Sequence, residues 1–171
     1  MNRIATHKEG LTWACSLLEM VMEDVTTEQA HWVPPGIANP LGAIYAHAVL
    51  GIDSLINALF QRKQPLFARD WAGKTGISEP KWGMEIQWAR NLQVDLPAAR
   101  TYAQAVYQNA QDYLDKLHDQ DLDRQLDLTA QGLGVHSLSW CLEALVTGHI
   151  HNMTGEVSVL KGIQGSRGYP F

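Results

Sequence analysis

The sequence predicts an all-α protein, a four-helix bundle built as one domain over residues 1–171. Three observations carry that prediction. Four long segments repeat apolar residues at the helical period of about 3.6. No segment alternates for long at the two-residue period of a half-buried strand. The chain has no internal repeat, so the four helices must cover one another's apolar faces in a common core. With 171 residues and 46% apolar side chains, there is enough material for such a core.

The first helix is expected over about 9–25, where Leu11, Ala14, Leu18, Met22 and Val25 share a face. Val33-Pro34-Pro35-Gly36 then forces a loop. Asn39-Pro40 is a start signal for the second helix, to about residue 60: Asn39 as the cap and Pro40 at the first helical position. Its apolar face holds Leu41, Ile44, Tyr45, Ala48, Ile52, Leu55 and Leu59. A long connection follows, punctuated by Pro65, Gly73, Gly76, Pro80 and Gly83, with Trp71, Trp82 and Trp88 between them. A short helix is expected within it at 85–91, and the tryptophans are read first as packing and second as a cover over one mouth of the bundle or a partner surface. The third helix should run from about 95 to 117, with Pro97 in its first turn, and the fourth from about 137 to 161 after a Gln131-Gly132-Leu133-Gly134 turn. Residues 162–171 are expected to lie as extended chain along the body.

Composition narrows the function. The formal net charge is −5 and no basic cluster exceeds Gln61-Arg62-Lys63, so no surface gathers the cations that nucleic acid requires. No uninterrupted apolar run reaches the roughly 18 residues of a membrane span. The first residues lack the apolar stretch of a secretory signal. A cytoplasmic protein is expected, without nucleic-acid or membrane partners. Cys15 and Cys141 lie in separate helices with no CxxC spacing, and read as small buried apolar residues.

The candidate chemistry lies on the fourth helix. Leu142, Leu145, His149, Met153, Glu156 and Leu160 fall on one side of it, which puts a histidine and a carboxylate on the stripe facing the core. Burying such groups costs several kcal/mol unless a metal, a hydrogen bond or a charge satisfies them. His151 lies roughly 200° away at about 100° per residue and reads as solvated. On the second helix, His47 shares a stripe with the small residues Gly51, Ser54 and Ala58, which leave room beside an imidazole. From these residues alone, a hydrogen-bonded core pair is the simpler reading of His47 and His149, since a metal also demands third and fourth donors. Glu19, Glu23 and Asp24 read as a solvated face, and Asp53 with Asn57 as a surface hydrogen bond or, second, as part of the cleft rim. No serine elbow and no glycine-rich phosphate loop are present.

Several stretches in order resemble the DinB-like family, specifically its YfiT-like group of metal-dependent enzymes. They are the run from Asn39-Pro40 to His47, the Tyr102–Tyr107 and Tyr113–Leu117 stretches, His149 to Val157, and the ending from Leu160 to Phe171. The resemblance implies an up-down-down-up bundle with a long connection between the second and third helices. It also implies a divalent metal held by three histidines, one from the second helix and an HxxxH pair from the last. His47 matches the first and His149 the second. The third position is Met153, although Thr154-Gly155-Glu156 matches the tail that follows it. A thioether suits Cu(I) far better than Zn, Ni or Mn. Glu156, roughly 10 Å further along the axis, is left as a loose donor at best, and Asn152 as a weak one.

Two functions follow. In the first, the protein remains a metal-dependent enzyme of the kind that transfers groups to small thiols or hydrolyses a substrate, with an incomplete site that holds Zn, Ni or Mn weakly or not at all; the thiol is unspecified. In the second, the activity is lost and the bundle is a metal-free module that binds a small ligand or pairs with another copy. A homodimer is expected either way, because relatives in the family pair.

Overall fold

The computed structural model describes residues 2–171. Helix α1 (Arg3–Met22) begins earlier than its apolar pattern suggests, because Asn2 caps it by accepting from the Ala5 amide at 3.2 Å. A short α2 (Thr27–His31) follows, closed by a Thr26/Gln29 capping box. Helix α3 (Leu41–Asp53) runs on without a break into a wider π-helical segment, Ser54–Phe60. Its start corrects one expectation. Pro40 occupies the cap position with no side-chain hydrogen bond, and the Asn39 Oδ1 is buried without a partner.

Helices α4 (Ile86–Asn91) and α5 (Leu96–Leu114) lie close to their expected places, α5 capped by Asp95 with Pro97 in its first turn. The fourth long helix is continuous over 138–163: α6 (Leu138–Cys141), a second π-helical segment (Leu142–Thr147) and α7 (Gly148–Ile163), capped by the Ser137 hydroxyl. The mostly helical architecture includes one short hairpin that the sequence did not suggest. Strands β1 (Gln125–Leu128) and β2 (Gly134–Ser137) form an antiparallel hairpin, with Leu126 opposite His136. Each is only four residues long, too short for alternation to stand out from a turn.

Side-chain pairs fix the directions of the helices. Along α1, Lys8, Thr12 and Glu19 meet Asp115, Gln111 and Tyr107, so α1 and α5 are antiparallel. His7 and Lys161 of the first and last long helices pair with Ser139 and Asp24, which makes those two parallel. Asp53, Asn57 and Phe60 meet Tyr102, Asn109 and Tyr113, so α3 and α5 are also parallel. The order is up-down-down-up. Because α3 and α5 point the same way, the chain between them must return along the bundle, and this is why residues 61–95 are needed.

The core is continuous across all four helices, with Leu18, Met22, Tyr45, Leu50, Ile56, Tyr102 and Leu114 fully buried. Leu41–Phe60 is long and apolar enough to cross a membrane, yet most of it is enclosed by the other helices. Both cysteines are buried and free. Two polar assignments are corrected here. Asp53 is fully buried, not at a surface, and accepts from Asn57 Nδ2 and the Leu66 amide at 2.8 Å, the Phe67 amide at 3.0 Å and the Tyr102 hydroxyl at 2.6 Å. Glu19 is not on a solvated face; it accepts from two tyrosines inside the bundle.

Candidate functional site

The two histidines singled out by the sequence meet between α3 and α7. Their ring centroids lie 4.9 Å apart with the planes at 84°, edge to face. His47 Nδ1 is 3.0 Å from the carbonyl oxygen of Gly83. A carbonyl only accepts, so this nitrogen carries the proton and His47 Nε2 is left with a free lone pair. The Gly83 carbonyl comes from the long 61–95 connection. Burial pushes the His47 pKa down, with the Gly83 hydrogen bond opposing it in part. Burial, with a smaller contribution from His47, lowers His149 to about 4. Both imidazoles are therefore neutral at pH 7, the state in which a ring nitrogen can bind a metal or accept a hydrogen bond.

The pair opens onto a cavity of about 230 Å³. Gly51, Leu55 and Leu59 form its α3 wall, and Ala144, Leu145 and Asn152 its opposite wall. Trp82 covers one side, while Leu128, Gln131 and Leu133 reach in from the hairpin. Both π-helical segments contribute to this lining. Widened turns of this kind often occur at functional sites, where they displace side chains that a regular helix would aim elsewhere.

The remaining family position behaves differently. Met153 is buried in the apolar core and is not part of the cavity wall; Asn152, one residue earlier, is. Glu156, expected as a loose further donor, lines a separate groove with Ala38, Asn39, Ile44 and Val159. Among the described residues, no group of three His, Cys, Asp or Glu side chains is placed to hold a metal ion. The residues present thus fit two positions of a three-nitrogen site and leave the third without a hard donor. His151 is half-buried, outside this cavity.

Sequence reasoning missed Gly83 and the three hairpin residues, while Trp82 is one of the tryptophans read second as a cover over one mouth of the bundle. The Gly83 carbonyl carries no side-chain signal at all. The turn glycines Gly132 and Gly134, both at positive φ (77° and 80°), were the available clue to the hairpin.

Fold and cavity together define a helical-bundle protein with a histidine-lined cleft between its second and last long helices. The model of the DinB superfamily matches residues 11–154, and the chain belongs to that family. A conserved protein from Enterococcus faecalis has the same fold, with a TM-score of 0.79 at 17% identity, covering 97% of this chain and 99% of that one. No curated protein matches the sequence.

Proposed function

We propose that this DinB superfamily protein binds a small molecule in the His47–His149 cavity, where the two imidazoles form a half-site for a divalent ion such as Zn, Ni or Mn. The ion is retained when the bound molecule supplies the missing donor. The observation that carries this reading is the convergence of two neutral imidazoles on one cavity, with His47 held in a single tautomer by the Gly83 carbonyl. That anchoring is the usual way a ligating histidine is oriented.

A divalent ion in such a place would lower the pKa of a bound thiol or water and so supply a nucleophile, the chemistry of a thiol-dependent transferase or a hydrolase. The chain's own residues bind and orient. Leu55, Leu59, Leu145 and Trp82 give the cavity an apolar lining, and the Gln131 and Asn152 amides offer hydrogen bonds to a polar end of the ligand.

A second reading is favoured by the burial of Met153 in the core and by the leucine-rich lining. In it the cavity takes a small apolar ligand without any metal, or the bundle serves assembly. We place either activity in a cytoplasmic homodimer, which light scattering on the purified protein would test.

Metal uptake separates the two readings. Untagged protein is equilibrated with Zn(II), with and without 2-mercaptoethanol, and the bound metal is measured after desalting. The half-site reading expects about one ion per chain with the thiol present and little without it, and loss of uptake in His149→Ala. No uptake in either condition would leave the metal-free reading. Met153→His tests the inheritance directly: uptake without thiol would mean that one donor alone is missing.

A further inference from the structure

On the opposite side of the bundle, α1 and α5 line a second, open cavity of about 410 Å³ that the His47–His149 pair does not reach. At its base is the Glu19 carboxylate. Its Oε1 accepts from the Tyr45 hydroxyl at 2.9 Å and from the Tyr107 hydroxyl at 2.7 Å. Both donors go to the same oxygen, and among the described residues no hydrogen bond reaches Oε2. The cation closest in charge influence, Arg100, directs Nη2 to the backbone carbonyls of Met22 and Glu23 and makes no hydrogen bond to Glu19. Thr12, Ser16, Gln104 and Gln108 form a polar rim above, and their side chains carry oxygens that can accept hydrogen bonds.

We infer that this α1–α5 cavity binds a small organic cation, a primary alkylammonium, whose N–H donors meet Glu19 Oε2 and the hydroxyl and amide oxygens of the rim. The charge of Glu19 needs a reason. A neutral glutamine oxygen would accept from both tyrosines equally well, whereas the carboxylate adds a charge whose Oε2 faces the open groove with no protein donor among the described residues. A cationic donor supplies what the unused oxygen lacks. An anion is excluded because the formal charge at the cavity base is negative. A metal site is not indicated, because among the described residues no group of three His, Cys, Asp or Glu side chains is placed to hold an ion. Burial raises the Cys15 thiol to about 12, so the neighbouring sulfur acts as wall and not as a nucleophile. The inference is independent of the metal reading, because no residue is shared between the two cavities.

The test is an NMR titration of the intact protein with n-butylammonium chloride, with 1-butanol and sodium butyrate as controls. Saturable shifts confined to α1 and α5 are expected with the ammonium and not with the controls. Glu19→Gln keeps the acceptor for both tyrosines and should weaken binding at least tenfold. Ser16→Trp, at the exposed rim, should block binding even if Glu19→Gln fails to fold. His149→Ala should leave it unchanged. No saturation with butylammonium, equal binding of 1-butanol, or unaltered affinity in folded Glu19→Gln would each overturn the assignment.

Discussion

Gly51 stands directly opposite His149: a methyl group built on Gly51 would lie 3.7 Å from the imidazole Nε2 and 3.8 Å from Cδ2. That is ordinary van der Waals contact, so the position tolerates one carbon and little more. Within a helix, glycine costs about 0.5–1 kcal/mol relative to alanine. The fold therefore does not demand glycine over alanine here, but a side chain larger than a methyl group would enter the space of the ring and the cavity.

Gly51→Ala should therefore raise the melting temperature by roughly 1–4 °C, the shift expected from a gain of that size in a chain of this length. Gly51→Leu should fill the cavity and displace the His149 ring. Calorimetry checks the first expectation, and loss of small-molecule and metal binding checks the second.

Protonation of His149 should oppose folding. Its pKa in the native state is lowered to about 4, mainly by burial, while an unfolded histidine titrates near 6.5. Between those values the unfolded chain binds the extra proton. Stability from this group is thus fully present above about pH 6.5, is lost as pH falls toward 4, and is constant below that. The raised carboxyl of Glu19, held up by burial, acts in the opposite direction. The contribution is best isolated by comparing denaturation of the wild type with His149→Gln at pH 7 and pH 5. The wild type should lose more stability than the variant; equal losses would contradict the assignment.

Asp53 ties three separate parts of the chain together: the end of α3, the backbone at Leu66 and Phe67, and Tyr102 of α5. Asp53→Ala would strand several buried donors at once. A loss of about 3 kcal/mol is expected, lowering the melting temperature by roughly 6–12 °C. Thermal unfolding followed by circular dichroism would measure it, and a change below about 1 kcal/mol would show that the network relaxes around the gap.

Gly76 anchors the connection that delivers Gly83 to His47. Its φ is +72°, and an added Cβ would lie 2.6 Å from the Ala99 nitrogen and 2.7 Å from the Asp95 oxygen. Gly76→Ala should cost about 2 kcal/mol from strain and contact together. Proteolytic cleavage within residues 61–95 should become faster, and metal uptake in the presence of thiol should weaken, because the acceptor for His47 Nδ1 shifts.

The sequence by itself determined the four helices, their apolar faces, and the two histidines that meet inside. Periodicity and helix-stop signals are local properties, so a chain read residue by residue reveals them: the expected 85–91 and 137–161 helices lie within two residues of α4 and of the 138–163 helix at each end. Only the tertiary structure decided where polar groups belong. Glu19 and Asp53 looked solvated because nothing in sequence marks which helix will cover them, and their tyrosine partners lie 26 to 88 positions away. The tautomer of His47 depends on a backbone carbonyl 36 residues distant, an atom every residue possesses. Met153 took its expected place on the core stripe, and the cavity wall beside His149 is formed by Asn152. His149, Asn152 and Met153 share the regular helix α7, so which of two adjacent positions borders the cavity was decided by how α3 and the hairpin pack against that helix.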